Sequence, residues 1–193
     1  MSIEAHVFTP ESHAIAVSDL AADMAAVQVA TCVLRNFRDW SDFDVVEAGN
    51  LRDGDILCGC LTTGSVASEI EASVVRRDRK AIEGYLLEGN LGACGVGVRD
   101  LSSLSPDDRL GMAEVDGDES FAAVMRSARF DYCAYSAAGR NDLSILLQFR
   151  LTQVIAKQRG GVLTDPVSGD YLVVAKGRWE RLPCLVAFEE QNQ

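Results

Sequence analysis

Histidine and cysteine are the side chains through which this 193-residue chain could perform nucleophilic or metal chemistry. Its two histidines, His6 and His13, both lie near the N-terminus, so a Cys–His or Ser–His–Asp site would have to recruit one of them in three dimensions. The close cysteine pair is Cys58-Gly59-Cys60, whereas zinc sites use Cys-x-x-Cys or longer spacings twice over. On a strand these two cysteines would share one face, as small core residues do. The sequence therefore predicts no catalytic set, no cofactor and no metal site.

The segment Ser136-Ala-Ala-Gly139-Arg140-Asn141 is a candidate anion site, because it leads into the N-terminus of a predicted helix. Free amides at such a terminus, together with Arg140, could hold a carboxylate or a phosphate. The alternative is an ordinary cap, in which Asn141 or Asp142 accepts from the first amides of the helix. The pattern favours the cap. A small enzyme or ligand-binding domain that uses Ser136, Arg140 and Asn141 is kept as the second functional hypothesis.

Acidic residues interleaved with aromatics form another candidate surface, in Arg38-Asp39-Trp40-Ser41-Asp42-Phe43-Asp44. Trp40 would be either a buried anchor between two elements or an interface hot spot rimmed by negative charge, and the pattern favours the core. A second acidic run, at 116–119, is too short for a calcium loop. The predicted partner-binding residues are Asp39, Trp40, Asp42, Asp44, Glu47, Asp116, Asp118 and Glu119.

The charge of the chain argues against nucleic acid and for a basic partner. The formal net charge is −11, and residues 1–60 hold ten acidic against three basic residues. Binding to phosphate backbones demands clustered Lys and Arg, whereas an acidic surface steers a basic protein partner; the alternative role of such charge is solubility. No run approaches the roughly 20 apolar residues of a membrane helix, and no secretory signal is visible. The expectation is a cytoplasmic protein with reduced cysteines, and a homo-oligomer is left open.

The best-defined element is a helix from 142 to about 158. Apolar residues recur at three- and four-residue steps from Leu143 to Ile155, and Gly160-Gly161 predicts a left-handed stop. Strands at 162–164 and 171–174, joined by a turn at 165–169, are predicted to follow.

The first hundred residues predict a ferredoxin-like βαββαβ order. The expected elements are a strand at 3–9, a helix from Ser18 to Arg38, strands at 43–48 and 55–62 joined by an Asp53-Gly54 hairpin turn, a helix at 64–74 and a strand at 93–98. Residues 75–90 fit either helix or strand.

The second portion is predicted to run βαββ after an acidic, turn-rich connection. Its first strand, at 130–137, would follow a short helix at 121–127 capped by Ser120, and a closing strand is expected at 185–188. The fold class is therefore α+β, with lobes at 1–100 and 121–193 joined by 101–120, or one continuous domain that shares a single core.

The C-terminal segment, a helix running into Gly160-Gly161-Val-Leu-Thr-Asp165-Pro166-Val-Ser-Gly169-Asp-Tyr171-Leu172, resembles the ends of small bacterial immunity proteins that neutralise toxins in interbacterial competition. The resemblance covers about a sixth of the chain. It implies a non-enzymatic inhibitor that binds one cognate toxin in the cytoplasm and covers its basic active site with an acidic face.

Overall fold

The protein is an α+β fold built on one eight-stranded antiparallel sheet. The computed structural model describes residues 3–11, 14–63, 66–113, 117–136, 141–165 and 169–180. Their elements are β1 (Ile3–Thr9), α1 (Val17–Ala25), β2 (Val29–Asp39), β3 (Asp42–Val46), β4 (Ile56–Leu61), α2 (Ala67–Val75), α3 (Arg79–Leu87), β5 (Gly92–Asp100), α4 (Pro106–Gly111), α5 (Glu119–Ser127), β6 (Phe130–Ser136), α6 (Asp142–Arg159), β7 (Gly161–Asp165) and β8 (Asp170–Val174).

The strand order is β3-β2-β4-β5-β6-β1-β7-β8, so the first strand of the chain lies among strands of its second half. β1 pairs with β6 over its whole length and with β7 on its other side. The predicted lobes 1–100 and 121–193 therefore contribute to one continuous sheet. The predicted connection between them contains α4, and its residues Leu101 and Ala113 are buried.

α6 is the central helix of one sheet face, as its sequence predicts. Asn141 caps it by accepting from the Ser144 amide at 2.8 Å, and Leu147, Leu151 and Val154 are fully buried against the strands. The helix ends at Gly160, whose φ is +68°, and Gly161 follows at +128°. α1 packs beside α6 on the same face and adds Leu20 and Met24 to its core.

The opposite face is covered by two helix pairs, one at each end. α2 and α3 bury Ile70 and Ile82 against β2, β3 and β4. α4 and α5 pack around Phe8 and Phe121 near β1, β7 and β8. Between the pairs lies a strip of β5, β6 and β1, on which His6, Cys133 and Tyr135 are partly exposed.

The prediction of a helix from Ser18 to Arg38 is wrong in its second half. α1 ends at Ala25, Gln28 takes a positive φ of 63°, and the chain then enters the eleven-residue strand β2. The branched residues Val29, Thr31 and Val33 suit a strand better than a helix, and pairing with β4 decides the outcome.

The predicted hairpin between the strands at 43–48 and 55–62 is also wrong, because β2 lies between β3 and β4 and pairs with both. Asp53-Gly54 does form a turn, in which the Asp55 amide donates to the Arg52 carbonyl at 3.1 Å, but that turn leads from a loop into β4. The first portion consequently runs βαβββααβ rather than βαββαβ.

Other local predictions fare differently. Residues 79–87, within the range that fits either helix or strand, form α3, which begins where Asp78 accepts from the Ala81 amide at 3.2 Å. α5 begins two residues earlier than predicted and is capped by Asp118, not by Ser120. The expected strand at 185–188 and the middle of the turn at 165–169 lie outside the described residues.

Candidate functional site

The acidic residues of the β2–β3 hairpin are exposed and carry their own counterions. The Ser41 hydroxyl and amide both donate to Asp39, and these hydrogen bonds lower the pKa of that carboxyl. Asp42 lies 3.7 Å from Arg38, and Asp44 lies 3.7 Å from Arg77. The hairpin is therefore a mixed-charge surface in which the predicted acids are partly neutralised from within the chain.

Trp40 combines the two roles that its sequence context leaves open. Its ring packs edge-on against Phe37 at a centroid distance of 4.8 Å, and Phe37 stacks on the buried Phe43 at 6.3 Å. The side chain nevertheless keeps intermediate exposure at the tip of the hairpin. Trp40 is thus attached to the α2–α3 core and still presents part of its ring to solvent.

Beyond the hairpin, β2 has an open edge. β3 ends at Val46, opposite Val33, whereas β2 continues back to Val29. The Thr62 amide donates to the Gln28 carbonyl at 2.9 Å. Because the backbone N–H and C=O groups of successive residues point to opposite sides of a strand, those of Ala30 and Cys32 also point towards β4. The backbone groups of Val29 and Thr31 consequently face away from β4, on a side where the described chain provides no strand.

A cavity of about 250 Å³ runs along this edge between α1 and α2. We call it the edge notch and define it by residues 30–33 of β2, by Val17, Ser18 and Ala21 of α1, by Ile70, Glu71 and Val74 of α2, and by Glu47 just after β3. The charged side chains that line it, Glu47 and Glu71, are both acidic. Burial, Cys32 and the charge of Glu71 raise the pKa of Cys60 at its floor.

The second acidic run lies elsewhere. Asp118 caps α5 by accepting from the Phe121 amide at 2.9 Å, and Glu119 lies 3.7 Å from Arg126 in the same helix. α5 packs on β1, β7 and β8, at the end of the sheet remote from β3. Asp116 lies outside the described residues. The fold therefore does not bring the two predicted acidic surfaces together.

Two side chains of the candidate anion site make hydrogen bonds to other groups of the protein. The buried Ser136 hydroxyl donates to the Gln148 side chain at 2.9 Å. Asn141 donates to the carbonyls of Leu86 and Leu91, each at 2.8 Å, while it caps α6. Arg140 lies outside the described residues.

A cluster that the sequence reasoning missed lies on the partly exposed strip. We call Glu4, His6, Asp131 and Cys133 the β1–β6 cluster. His6 Nδ1 donates to Asp131 Oδ1 at 2.9 Å, His6 Nε2 is 3.5 Å from Glu4 Oε2, and the Cys133 thiol is 3.7 Å from the same Glu4 oxygen. Glu4, His6 and Cys133 each offer one metal-ligating atom, and these three atoms lie within 4.8 Å of one another.

Charge and burial shape the titration of this cluster. Burial would lower the pKa of His6, but the hydrogen bond and charge of Asp131, with the charge of Glu4, raise it above its ordinary value. Burial and the same two carboxylates raise the pKa of the Cys133 thiol well above its usual range.

A weak signal of this cluster existed in the sequence, because Glu4 and His6 are two apart on one predicted strand, and Asp131 and Cys133 are two apart on another. Nothing local showed that these strands pair. His13, the other histidine, lies outside the described residues.

No family model, curated protein or solved structure matches this chain. Within the described residues, no helix combines the length and apolar character that crossing a membrane requires.

Proposed function

We propose that this chain is a non-enzymatic protein-binding module that accepts an extended, basic segment of its partner at the edge notch. The observation that carries the proposal is the edge of β2 at Thr31, which no strand of the described chain covers and which presents a backbone donor and acceptor beside an apolar cleft. An extended segment can pair with such an edge and become an added strand, with the backbone supplying affinity and the cleft supplying selectivity.

The chemistry of the partner segment follows from the walls of the notch. Because successive side chains of an added strand point to opposite faces, its apolar side chains would turn towards Val17 and Ala21 of α1, and the residues between them would turn towards α2. Glu47 and Glu71 favour Lys or Arg in the remaining positions. A chain of net charge −11 also steers a basic partner towards itself over longer distances.

The proposal extends to the identity of the partner. On the resemblance of α6, β7 and β8 to the ends of immunity proteins, the module is an immunity-type inhibitor and its partner a cognate toxin with a basic active-site surface. Asp39, Trp40, Asp42 and Asp44 lie on the hairpin that continues from the notch, so a partner seated there would meet them as the rim of the same interface.

A designed peptide tests the notch. The probe is a fluorescein-labelled, capped hexapeptide Lys-Val-Lys-Val-Lys-Val, and its anisotropy is measured against protein concentration at low and physiological salt. We expect saturable binding that weakens with salt. A peptide with Glu in place of Lys, and one with alternate backbone nitrogens methylated, should bind weakly, because the first reverses the charge and the second removes donors to the strand edge.

Two substitutions locate the binding. Thr31→Pro removes one outward N–H at an edge position, where proline is tolerated, and should weaken binding about five- to tenfold, as the loss of one hydrogen bond does. Glu71→Lys should weaken it most at low salt, while Glu119→Lys, the same charge change at the far end of the sheet, should not. Equal effects of Glu71→Lys and Glu119→Lys would show that only net charge matters, and the notch would then not be the site.

Amide hydrogen exchange keeps the test decisive if Thr31→Pro unfolds. Saturating peptide should slow exchange of the Thr31 amide in the unmodified protein, because a paired edge amide is protected. Binding without that protection would overturn strand addition.

A further inference from the structure

Two neighbouring strands place a set of metal-binding atoms on the exposed strip of the sheet, remote from the edge notch. His6 of β1 lies directly opposite Cys133 of β6 in the strand register, and Glu4 is two residues before His6 on the same face. Glu4 Oε2, His6 Nε2 and Cys133 Sγ therefore converge above the sheet, within 4.8 Å of one another.

The separations suit one metal ion bound by three side chains. With zinc bonds of about 2.0–2.3 Å in tetrahedral geometry, neighbouring ligand atoms are about 3.3–3.7 Å apart. The Nε2–Oε2 separation is 3.5 Å and the Oε2–Sγ separation is 3.7 Å. The remaining Nε2–Sγ separation is at most 4.8 Å, so it exceeds that range by no more than about an ångström.

A fourth side chain orients the imidazole as metal sites require. Asp131 is 2% exposed and accepts from His6 Nδ1 at 2.9 Å. This hydrogen bond fixes the proton on Nδ1, so the lone pair of Nε2 points towards Glu4 and Cys133. Ligating histidines in proteins characteristically donate their other ring N–H to a carboxylate in this manner.

The donor set decides the metal class. One nitrogen, one carboxylate oxygen and one sulfur suit zinc, whereas calcium and magnesium prefer oxygen ligands. Three protein ligands leave a fourth position open, and beside Cys133 and Asp131 lies a cavity of about 280 Å³, lined also by Asp53, Gly97 and Arg99. Gly97 lies opposite Cys133 in the register, and a Cβ there would come within 3.3 Å of Cys133 Cβ, so the glycine keeps room at this wall.

We propose that Glu4, His6 and Cys133 bind a zinc ion, that Asp131 orients His6, and that the open fourth position faces the cavity beside Arg99. A small ligand that reaches that position with an anionic donor would meet the guanidinium of Arg99. This inference is independent of the proposed function, because the cluster and the edge notch share no residue.

Cobalt is the spectroscopic probe for the site. Protein is freed of metal with a chelator, reduced, and titrated with Co²⁺ and then with Zn²⁺. We expect one equivalent of Co²⁺ to give a thiolate-to-cobalt charge-transfer band and the intense visible bands of a four-coordinate ion, and Zn²⁺ to abolish both. Zn²⁺ should also raise the melting temperature.

Variants separate a built site from surface binding. Cys133→Ser should remove the charge-transfer band, whereas Cys32→Ser, at another half-buried cysteine, should retain it. Asp131→Asn should weaken zinc affinity about 10- to 100-fold while the charge-transfer band remains, as expected of a residue that orients a ligand. Thr31→Pro, in the edge notch, should leave zinc affinity unchanged.

The result that overturns the proposal is cobalt binding without a charge-transfer band, or with a band that survives Cys133→Ser. If the variants fail to fold, alkylation of Cys133 in the unmodified protein decides. Mass spectrometry should find Cys133 labelled without metal and protected by one equivalent of Zn²⁺, and equal labelling in both states would overturn the site.

Discussion

The contact between α6 and β4 predicts a favourable coupling between two substitutions that are each destabilising. Leu147 is fully buried, and a Cβ placed on Gly59 would lie 2.9 Å from its Cδ1 atom. Leu147→Ala should cost about 2.7–5.0 kcal/mol, through lost burial and the cavity left behind. Gly59→Ala should cost about 1–3 kcal/mol, because the leucine or the strand must move. Against a domain stability of about 5–15 kcal/mol, each single variant should remain folded.

In the double variant the new methyl group enters the space that Leu147 leaves. Its remaining close neighbours would be Val29 Cγ1 at 3.1 Å and the Ala30 carbonyl at 3.3 Å, which need to yield by only a few tenths of an ångström. The double variant should therefore be about 1–3 kcal/mol more stable than the value obtained by adding the destabilisations of the two single variants.

Urea unfolding followed by circular dichroism measures this cycle, with unchanged m-values as the check that unfolding stays two-state. The matched control is Gly84→Ala in α3, where an added Cβ meets nothing within 4 Å, and which should be additive with Leu147→Ala. If Gly59→Ala and Leu147→Ala also add within about 0.5 kcal/mol, the packing of α6 on β4 is not as described.

Two further predictions concern the stop of α6 and a buried thiol. Gly161→Ala should lower the free energy of unfolding by about 3 kcal/mol or more, because φ is +128° and a Cβ would lie 2.1 Å from the Phe8 carbonyl oxygen. The control Gly177→Ala, at φ +85° with open space around it, should lower it by only about 1–2 kcal/mol. Equal losses of stability in thermal unfolding would remove the steric argument. Burial raises the pKa of Cys94 to about 12, so its contribution to stability is complete below the ordinary thiol pKa of about 8.5 and declines as pH rises towards 12. Cys94→Ala should therefore reduce the alkaline loss of unfolding free energy by up to about 1.36 kcal/mol per pH unit, and identical slopes for both proteins from about pH 8.5 to 10.5 would contradict it.

The parts of the fold that the sequence predicts well are those set by neighbouring residues. The cap at Asn141, the apolar stripe of α6, the stop at Gly160 and the strands β7 and β8 all depend on positions within a few residues of one another. α3 carried the same kind of signal in the cap at Asp78, which the charged run around it obscured.

The parts that fail depend on distant pairing. The apolar spacing of β2 continues a helical stripe although its branched residues favour a strand, and pairing with β4 on one side and β3 on the other decides between the two. The β1–β6 cluster is harder still to predict, because His6 and Asp131 are 125 residues apart and no local pattern indicates which strand β1 pairs with. The edge notch exists because β3 is shorter than β2, a mismatch of strand lengths that appears once the register is known.

The position of each proposed site in the sheet suits the ligand that it is proposed to bind. β1 and β6 project Val7, Tyr132 and Ala134 into the core beneath α6, while their alternate residues form the β1–β6 cluster on the other face. β1 is also paired on both sides, so its backbone is held in place and only side-chain rotations are needed to order the ligands of a metal ion. Thr31, by contrast, lies at an edge, where a partner can add backbone hydrogen bonds without displacing any that the protein already makes. A rigid central strip is suited to holding an ion and an open edge to receiving a chain, so disrupting the zinc ligands should leave peptide binding at the notch intact.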